Sequence, residues 1–173
     1  MKSGSLPTLR AAKGATLGSV AIFSVTTIHH VYGAYIYSTP WRVHAAIVSG
    51  IATALIAASA WLLQRHWNDG FGLAASRVFI PVTFMVPFLG FGVFEGIYNH
   101  SLKVVLYFAH VSPTLMARLF PPPTYEMPNN AFFEITGVLQ VIPGLMTGYY
   151  LYQFVRGLQN SRDAGSDTHV SAT

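Results

Sequence analysis

The stretch VHAAIVSGIATALIAASAWLLQ, residues 43 to 64, contains one histidine and no charged residue. A helix needs about 20 predominantly apolar residues to cross the roughly 30 Å hydrocarbon core of a bilayer. The stretch meets that length without any Asp, Glu, Lys or Arg. It therefore predicts a transmembrane helix.

The rest of the chain has the same character. Of its 173 residues, 52% are hydrophobic and only 9% are charged, whereas a soluble domain carries about 25% charged residues. Three further apolar stretches lie at residues 16 to 38, 76 to 98 and 131 to 155. We expect the basic N-terminal segment to be retained as part of the first span. The fold predicted is all-α: one integral membrane domain over residues 1 to 157, built as a four-transmembrane-helix bundle.

The region between the third and fourth spans is less regular. Residues 101 to 120 are apolar but include Lys103, His110 and Arg118, and no turn separates them from the third span. We predict an extension of the third helix followed by an interfacial helical segment, with a fifth span as the alternative. The sequence PPPTYEMPNN then ends the helix. Residues 158 to 173 are polar and predict a disordered cytoplasmic tail.

The distribution of positive charge predicts the orientation. Four spans place both termini on one side of the membrane, and cytoplasmic loops are enriched in Lys and Arg. Seven cations fall on the side of the termini: Lys2, Arg10, Lys13, Arg65, Arg77, Arg156 and Arg162. Three fall on the other: Arg42, Lys103 and Arg118. This favours both termini in the cytoplasm of a plasma or inner membrane.

Two classes of chemistry are excluded by composition. The chain has no cysteine, so it forms no disulfide, no thiolate metal ligand and no cysteine nucleophile. The net charge of +4 is spread over ends and loops without a basic, aromatic-interleaved stripe. We attribute that charge to topology and lipid contact and expect no nucleic-acid partner.

Small residues indicate which helix faces point inward, because transmembrane helices pack through them. The second span repeats such residues every four positions: Ala46, Gly50, Ala54 and Ala58. On an α-helix an arc of about 140° of the third span holds polar and small residues together: Gly92, Glu95, Gly96, Asn99, His100 and Lys103. An arc of about 80° of the fourth does the same: Glu134, Gly137, Val141, Gly144 and Gly148.

Ionisable residues converge on one depth of the predicted bundle. His29 and His30 lie about 13 Å below the outer end of the first span. His44 opens the second span, Glu95 and His100 close the third, and Glu134 opens the fourth, all on the outer side. The inner half holds almost no such group, which argues against a transport path through the membrane. Ionisable residues inside a membrane mark function by default.

The combination of imidazole and carboxylate predicts a metal site. We take six residues as the ligand pool: His29, His30, His44, Glu95, His100 and Glu134. Asn99 and either Tyr32 or Tyr37 would support these ligands. Adjacent histidines on an α-helix point about 100° apart, so we expect one to bind metal while its neighbour hydrogen-bonds. Nitrogen with carboxylate suits iron, copper or zinc better than magnesium or calcium, and we place iron or copper before zinc.

The site chemistry leaves several functions open. Iron or copper predicts a membrane-bound oxidoreductase that acts on a lipophilic substrate or transfers electrons. Zinc would instead predict hydrolysis with Glu95 or Glu134 as general base. A haem b could take two axial histidines, one from His29 or His30 and one from His44 or His100. No catalytic residue is assigned.

A non-catalytic protein is the remaining alternative. His44, His66 and His110 could be interfacial side chains. Glu95 with His100 or Lys103, and Glu134 with Arg42, could be plain buried ion pairs. The chain would then be an accessory subunit of a larger membrane complex. Because 173 residues is small for a membrane enzyme, we expect a homo-oligomer or a larger complex in any case. The segment PPPTYEMPNN is the predicted partner-facing or lid element.

Overall fold

A computed structural model describes residues 5 to 122 and 124 to 170, with only the backbone of Ser5 and of residues 162 to 170. The described residues are helical, and none of them forms a strand. Four helices are long and apolar enough to cross a membrane: Leu6–Ile36, Pro40–Arg65, Gly70–Phe108 and Ala131–Ser161. The predicted all-helical fold with four long apolar helices is confirmed.

The helices follow one another with short connections. Their bounds are α1 Ser5–Ile36, a 3₁₀ turn Pro40–Val43, α2 His44–Arg65, α3 Gly70–Thr83, a π-helical segment Phe84–Leu102, α4 Lys103–Phe108, α5 Pro113–Leu119, α6 Ala131–Leu139 and α7 Val141–Val170. The third long helix consists of α3, the π-helical segment and α4 in continuous succession. It therefore extends to Phe108, ten residues past the predicted end of the span at residue 98. The predicted extension of the third helix is confirmed.

The π-helical segment has a local cause and a consequence for the site. Pro81 and Pro87 donate no backbone hydrogen bond, and a proline ring displaces the carbonyl four residues before it. The wider turn of the π-helix makes room for the displaced carbonyl groups. In a π-helix each N–H bonds to the carbonyl five residues back, so residues five apart are separated by a smaller angle than in an α-helix. Glu95 and His100 therefore share one face more closely than an α-helix would allow.

Small residues pack the half of the bundle that is nearer the two chain termini, which is called the inner half below. The buried core there consists of alanines, aliphatic residues and three phenylalanines: Ala11, Ala12, Ala15, Ile22, Phe23, Ala52, Ile56, Ala60, Leu63, Ala75, Phe79, Leu151 and Phe154. Gly92 of the π-helical segment lies against Gly144 of α7, and a Cβ built on Gly92 would lie 2.8 Å from the Gly144 Cα. Only glycine permits this close helix approach.

The predicted inward faces of the third and fourth spans are buried, but that of the second is not. Gly50, Ala54 and Ala58 are exposed, and nothing lies within 4 Å of a Cβ built on Gly50. The buried face of α2 runs instead through five small and two aliphatic residues: Ala45, Ser49, Ala52, Ile56, Ser59, Ala60 and Leu63. Alanines occur on both faces of α2, so small-residue spacing alone did not distinguish the face that packs on α1 and α3.

The C-terminal segment also differs from the prediction. The sequence predicts a disordered tail from residue 158, whereas α7 continues to Val170. Residues 171 to 173 lie outside the described residues. Extending an existing helix adds one hydrogen bond for each residue fixed, without a new nucleation step, and Leu158 packs against the inner core.

Candidate functional site

Three imidazoles surround one carboxylate oxygen at the predicted outer end of the bundle. Glu95 Oε1 lies 3.8 Å from His29 Nε2, 3.6 Å from His30 Nε2 and 3.5 Å from His100 Nε2. α1 supplies the first two rings, and the π-helical segment supplies Glu95 and His100. Helices far apart in sequence thus bring together four of the six predicted ligands.

Asn99 fixes the orientation of the Glu95 carboxylate. Its Nδ2 donates a hydrogen bond of 2.7 Å to Glu95 Oε2. The other oxygen, Oε1, is thereby left to face the imidazoles. Asn99 was predicted to support the ligands, and it does so through direct contact with one of them.

The hydrogen bond from His29 determines which of its nitrogens carries the proton. Its Nδ1 lies 3.0 Å from Thr136 Oγ1. The single hydroxyl proton of Thr136 is donated to backbone carbonyls, at 2.8 Å to Phe132 and 3.1 Å to Phe133. Thr136 can therefore only accept from His29, so Nδ1 carries the proton. Nε2 is left as a bare lone pair, fully buried and without a hydrogen-bond partner.

His100 is held in the same way from α6. Its Nδ1 donates to Glu134 Oε2 at 2.8 Å, and its Nε2 faces Glu95 Oε1 at 3.5 Å. A Cβ on Gly137 would overlap the His100 ring, so this glycine makes room for the imidazole. A carboxylate that holds the far nitrogen of a histidine is the usual arrangement behind a metal-binding imidazole.

Both carboxylate oxygens of Glu134 accept hydrogen bonds from neighbouring side chains. Its Oε1 accepts from Lys103 Nζ at 3.0 Å, and Lys103 also donates to the Glu126 backbone carbonyl at 2.7 Å. Glu134 thus supports His100 from behind. The alternative ion pair of Glu134 with Arg42 is wrong, because Arg42 lies nearest Glu126, at 3.9 Å.

Glu95 depends on histidines to balance its charge. Lys103 compensates Glu134, and Arg42 lies beside Glu126. Within the described part of the chain, no Lys or Arg lies within 4.0 Å of Glu95; its ion-pair partners are the three histidines alone. A buried carboxylate without a cationic partner is costly. A protonated imidazole among these histidines, or a bound metal ion, would remove that cost.

One subset of the cluster has the geometry of a metal site. The ligand atoms of His29, Glu95 and His100 all lie within 4.8 Å of one another. His30 is not in that group, although its Nε2 is near Glu95. Both of its ring nitrogens are buried without a hydrogen-bond partner. The two adjacent histidines are therefore not equivalent, as the sequence predicts, but His30 does not make the hydrogen bond expected of the neighbour.

The other predicted residues lie around the cluster. His44 bonds through Nδ1 to the Trp41 carbonyl and stacks on the Trp41 ring, with centroids 6.0 Å apart. Tyr32 exchanges hydrogen bonds with Asn130, and the Tyr37 hydroxyl donates to Asn129. Burial, followed by the charge of Glu134, raises the pKa of Tyr37 to about 12. Its hydroxyl stays protonated and acts as a donor.

A cavity of 330 Å³ adjoins the cluster. Its lining includes the polar residues His30, His44, Glu95, Asn99 and His100. Thr124, Tyr125 and Glu126 of the segment PPPTYEMPNN also line it, where Arg42 and Lys103 donate to the backbone carbonyls of Thr124 and Glu126. The structure thus places a space of molecular size next to the unpartnered histidine.

Sequence reasoning missed two features of the site. Thr136 lies about 200° around α6 from Glu134, so a single inward arc could not include both. α6 packs between α1 and the π-helical segment. Thr136 contacts His29 of α1, and Glu134 contacts His100 of the π-helical segment. The π-helical register was also missed, although the prolines at 81 and 87 are a signal for it.

Comparison with models of known protein families finds no match, and neither does comparison with curated proteins or with solved structures.

Proposed function

We propose that this chain is an integral membrane protein that binds one transition-metal ion through His29, Glu95 and His100. One observation carries the proposal: hydrogen bonds to Thr136 and Glu134 orient the Nε2 atoms of two imidazoles towards the same carboxylate oxygen. A tetrahedral ion with bonds of about 2.0–2.2 Å holds its ligand atoms roughly 3.3–3.6 Å apart. The Glu95 oxygen lies 3.5 and 3.8 Å from the two nitrogens.

The donor set supports a redox metal. Two imidazoles and one carboxylate with open positions are typical of non-haem iron, and imidazole also suits copper. The adjoining cavity gives an exogenous ligand access to the open side. The function supported best is therefore an iron or copper centre that oxidises a lipophilic substrate or transfers electrons. Zinc would fit the same atoms, with hydrolysis as the chemistry.

A membrane position is supported by the four long apolar helices. The cluster then lies in the outer half, with both termini in the cytoplasm. Arg42 and Lys103 are buried in the site and bonded there, so Arg118 is the one predicted outer cation left at the surface. This strengthens the charge asymmetry on which the orientation rests. We place α5 at the outer interface.

Haem b is supported less well. Two axial histidines must lie on opposite faces of a porphyrin. The His29 and His100 rings, one of the expected axial pairs, have centroids only 4.5 Å apart. A macrocycle does not fit between these two rings. The expectation of an oligomer or larger complex stays a prediction, since one chain supplies every residue of the cluster.

Elemental analysis with an absorption spectrum tests the proposal. Detergent-purified protein, prepared without chelator, is expected to carry about one iron, copper or zinc ion per chain. Glu95→Gln keeps the shape of the side chain and should abolish that content. His66→Ala is the matched control, because His66 lies outside the cluster against Asp69, and it should retain the metal. Folded protein without metal would overturn the proposal, and a Soret band would establish haem instead.

A further inference from the structure

A shallow groove of 450 Å³ runs between α1 and α7 at the inner end of the bundle. Its lining includes two cations, one aliphatic side chain and three polar ones: Arg10, Lys13, Leu17, Tyr149, Tyr150 and Gln153. The Tyr150 ring packs on Gly14, where a Cβ would lie 2.6 Å from the ring. Arg10 precedes His29 by 19 residues on α1, about 28 Å along the helix axis. The groove is therefore remote from the metal cluster.

The positive charge in the groove is not compensated. Arg10 and Lys13 are both exposed. Within the described part of the chain neither forms an ion pair; the Lys and Arg side chains that do so are Arg42 and Lys103. Since Arg10 and Lys13 lie three residues apart on one helix, their side chains are neighbours, and like charges that close repel each other. An anion held between them would remove that repulsion.

Acidic residues lie away from the groove on both of its helices. α1 contains none, and the first on α7 is Asp163. Asp163 follows Gln153 by ten residues, about 15 Å along the helix axis. The grooves beside the turn between α2 and α3 differ, because Asp69 lines them. The groove between α1 and α7 therefore suits an anion better than they do.

The groove changes from charged to apolar towards the middle of the bundle. Leu17 lies one turn beyond Lys13 and is 55% exposed, and Tyr149 lies one turn before Gln153 and is 59% exposed. In a membrane, cations and tyrosines near the end of a span lie at the level of the lipid headgroups, and aliphatic side chains beyond them face acyl chains. An occupant that matches both parts has an anionic head and an apolar chain. A free phosphate would contact only the charged part.

We propose that the groove binds an anionic phospholipid, with its phosphate between Arg10 and Lys13 and an acyl chain against Leu17 and Tyr149. Basic pockets between transmembrane helices on the cytoplasmic side bind headgroups of this kind. The lipid site shares no residue with the metal cluster. The lipid proposal and the proposed metal centre can therefore fail separately.

Native mass spectrometry of the detergent-purified protein tests the lipid class. The probes are dioleoylphosphatidylglycerol, which has an anionic headgroup, and dioleoylphosphatidylcholine, which has the same chains and no net charge. We expect one molecule of the phosphatidylglycerol to bind per chain, at least about tenfold more tightly than the phosphatidylcholine, because each of the two cations favours an anionic headgroup. Equal affinity for the two lipids would overturn the proposal.

Substitutions test the place of binding. The double variant Arg10→Gln with Lys13→Gln should bind phosphatidylglycerol no more tightly than phosphatidylcholine. Arg65→Gln with Arg77→Gln is the matched control, because it removes the same charge from two exposed residues outside the groove. It should keep the preference of the wild type. An unchanged preference in the groove variant, or an equal loss in both variants, would overturn the assignment to this groove.

A soluble headgroup separates a lipid site from a phosphate site. Glycerophosphoglycerol carries the same phosphodiester as phosphatidylglycerol but has no acyl chain to contact Leu17 and Tyr149. At the same concentration as the lipid, it should leave the bound phosphatidylglycerol in place. Displacement of half or more of the lipid would show that the phosphate alone is recognised, and it would overturn the lipid assignment.

Discussion

The two ends of the bundle are buried equally well but by different means. On α1, Ile22 and His29 are both fully buried, two turns apart. Around Ile22 the neighbours are apolar, and glycines let the helices approach. Around His29 lie Thr136, Glu95 and the stacked ring of Phe133. The inner end thus depends on shape, whereas the outer end depends largely on hydrogen bonds and ion pairs.

The largest expected effect is at the outer end, where charge pairing is tested. Glu134→Gln leaves Lys103, which is 2% exposed, as an unpaired buried charge. Removing one partner of a buried pair costs about 3–5 kcal/mol. We expect a corresponding loss of stability in thermal or denaturant unfolding in detergent.

The control for this prediction is the double variant Lys103→Met with Glu134→Gln, which removes both charges. It should recover most of the lost stability. If the single and double variants are equally unstable, pairing is not what stabilises the outer end.

The next largest loss of stability is expected at the inner end, where the close packing of helices is tested. Gly144→Ala places a methyl group against the Gly92 backbone. Overpacking of this kind costs about 1–3 kcal/mol, and metal content should not change. Gly50→Ala adds the same methyl group on an exposed face and should be neutral or slightly stabilising. Loss of metal in Gly144→Ala would show that the two ends are not independent.

A smaller effect is expected from the residue that orients His29. Thr136→Val removes the acceptor for the Nδ1 proton and should weaken metal binding about 10–100-fold, the usual effect of losing such a partner. Thr147→Val makes the same change at the inner end, where Thr147 bonds only to the Pro143 carbonyl. Metal titration of the two variants should therefore separate them. Equal affinities would contradict the role assigned to Thr136.

The smallest effect lies outside both ends, at the turn before α3. Asp69 accepts from the N–H groups of Phe71 and Gly72, and the hydrogen bond with His66 lowers the pKa of its carboxyl from 3.8. A carboxyl group whose pKa is lower in the folded than in the unfolded protein stabilises the folded state at pH values above the unfolded pKa. This stabilisation is lost as pH falls through the folded pKa. Asp69→Asn keeps the cap. The difference between the two melting temperatures should therefore be small, and it should vanish as pH falls through the lowered pKa of Asp69.

The contrast between the ends also explains what the sequence could predict. The number of long apolar helices follows from composition, and spacing along the helices correctly grouped Glu95, His100 and Glu134 at one end of the bundle. The partners of individual groups did not follow, because pairing depends on rotations of a few tens of degrees. The π-helical register moved His100 over Glu95, and Lys103 rather than Arg42 reached Glu134. The exposed stripe of α2 shows the same limit for packing by small residues.

The measurement that tests the account most directly is X-ray absorption spectroscopy of the metal-loaded protein. The account predicts nitrogen and oxygen neighbours at about 2.0–2.2 Å, with outer-shell scattering from two imidazoles. Glu95→Gln should lose the bound metal, whereas His44→Ala should leave the spectrum unchanged. A first shell without imidazole scattering, or one that depends on His44 and not on His29 or His100, would contradict the assignment of the outer end as a metal centre.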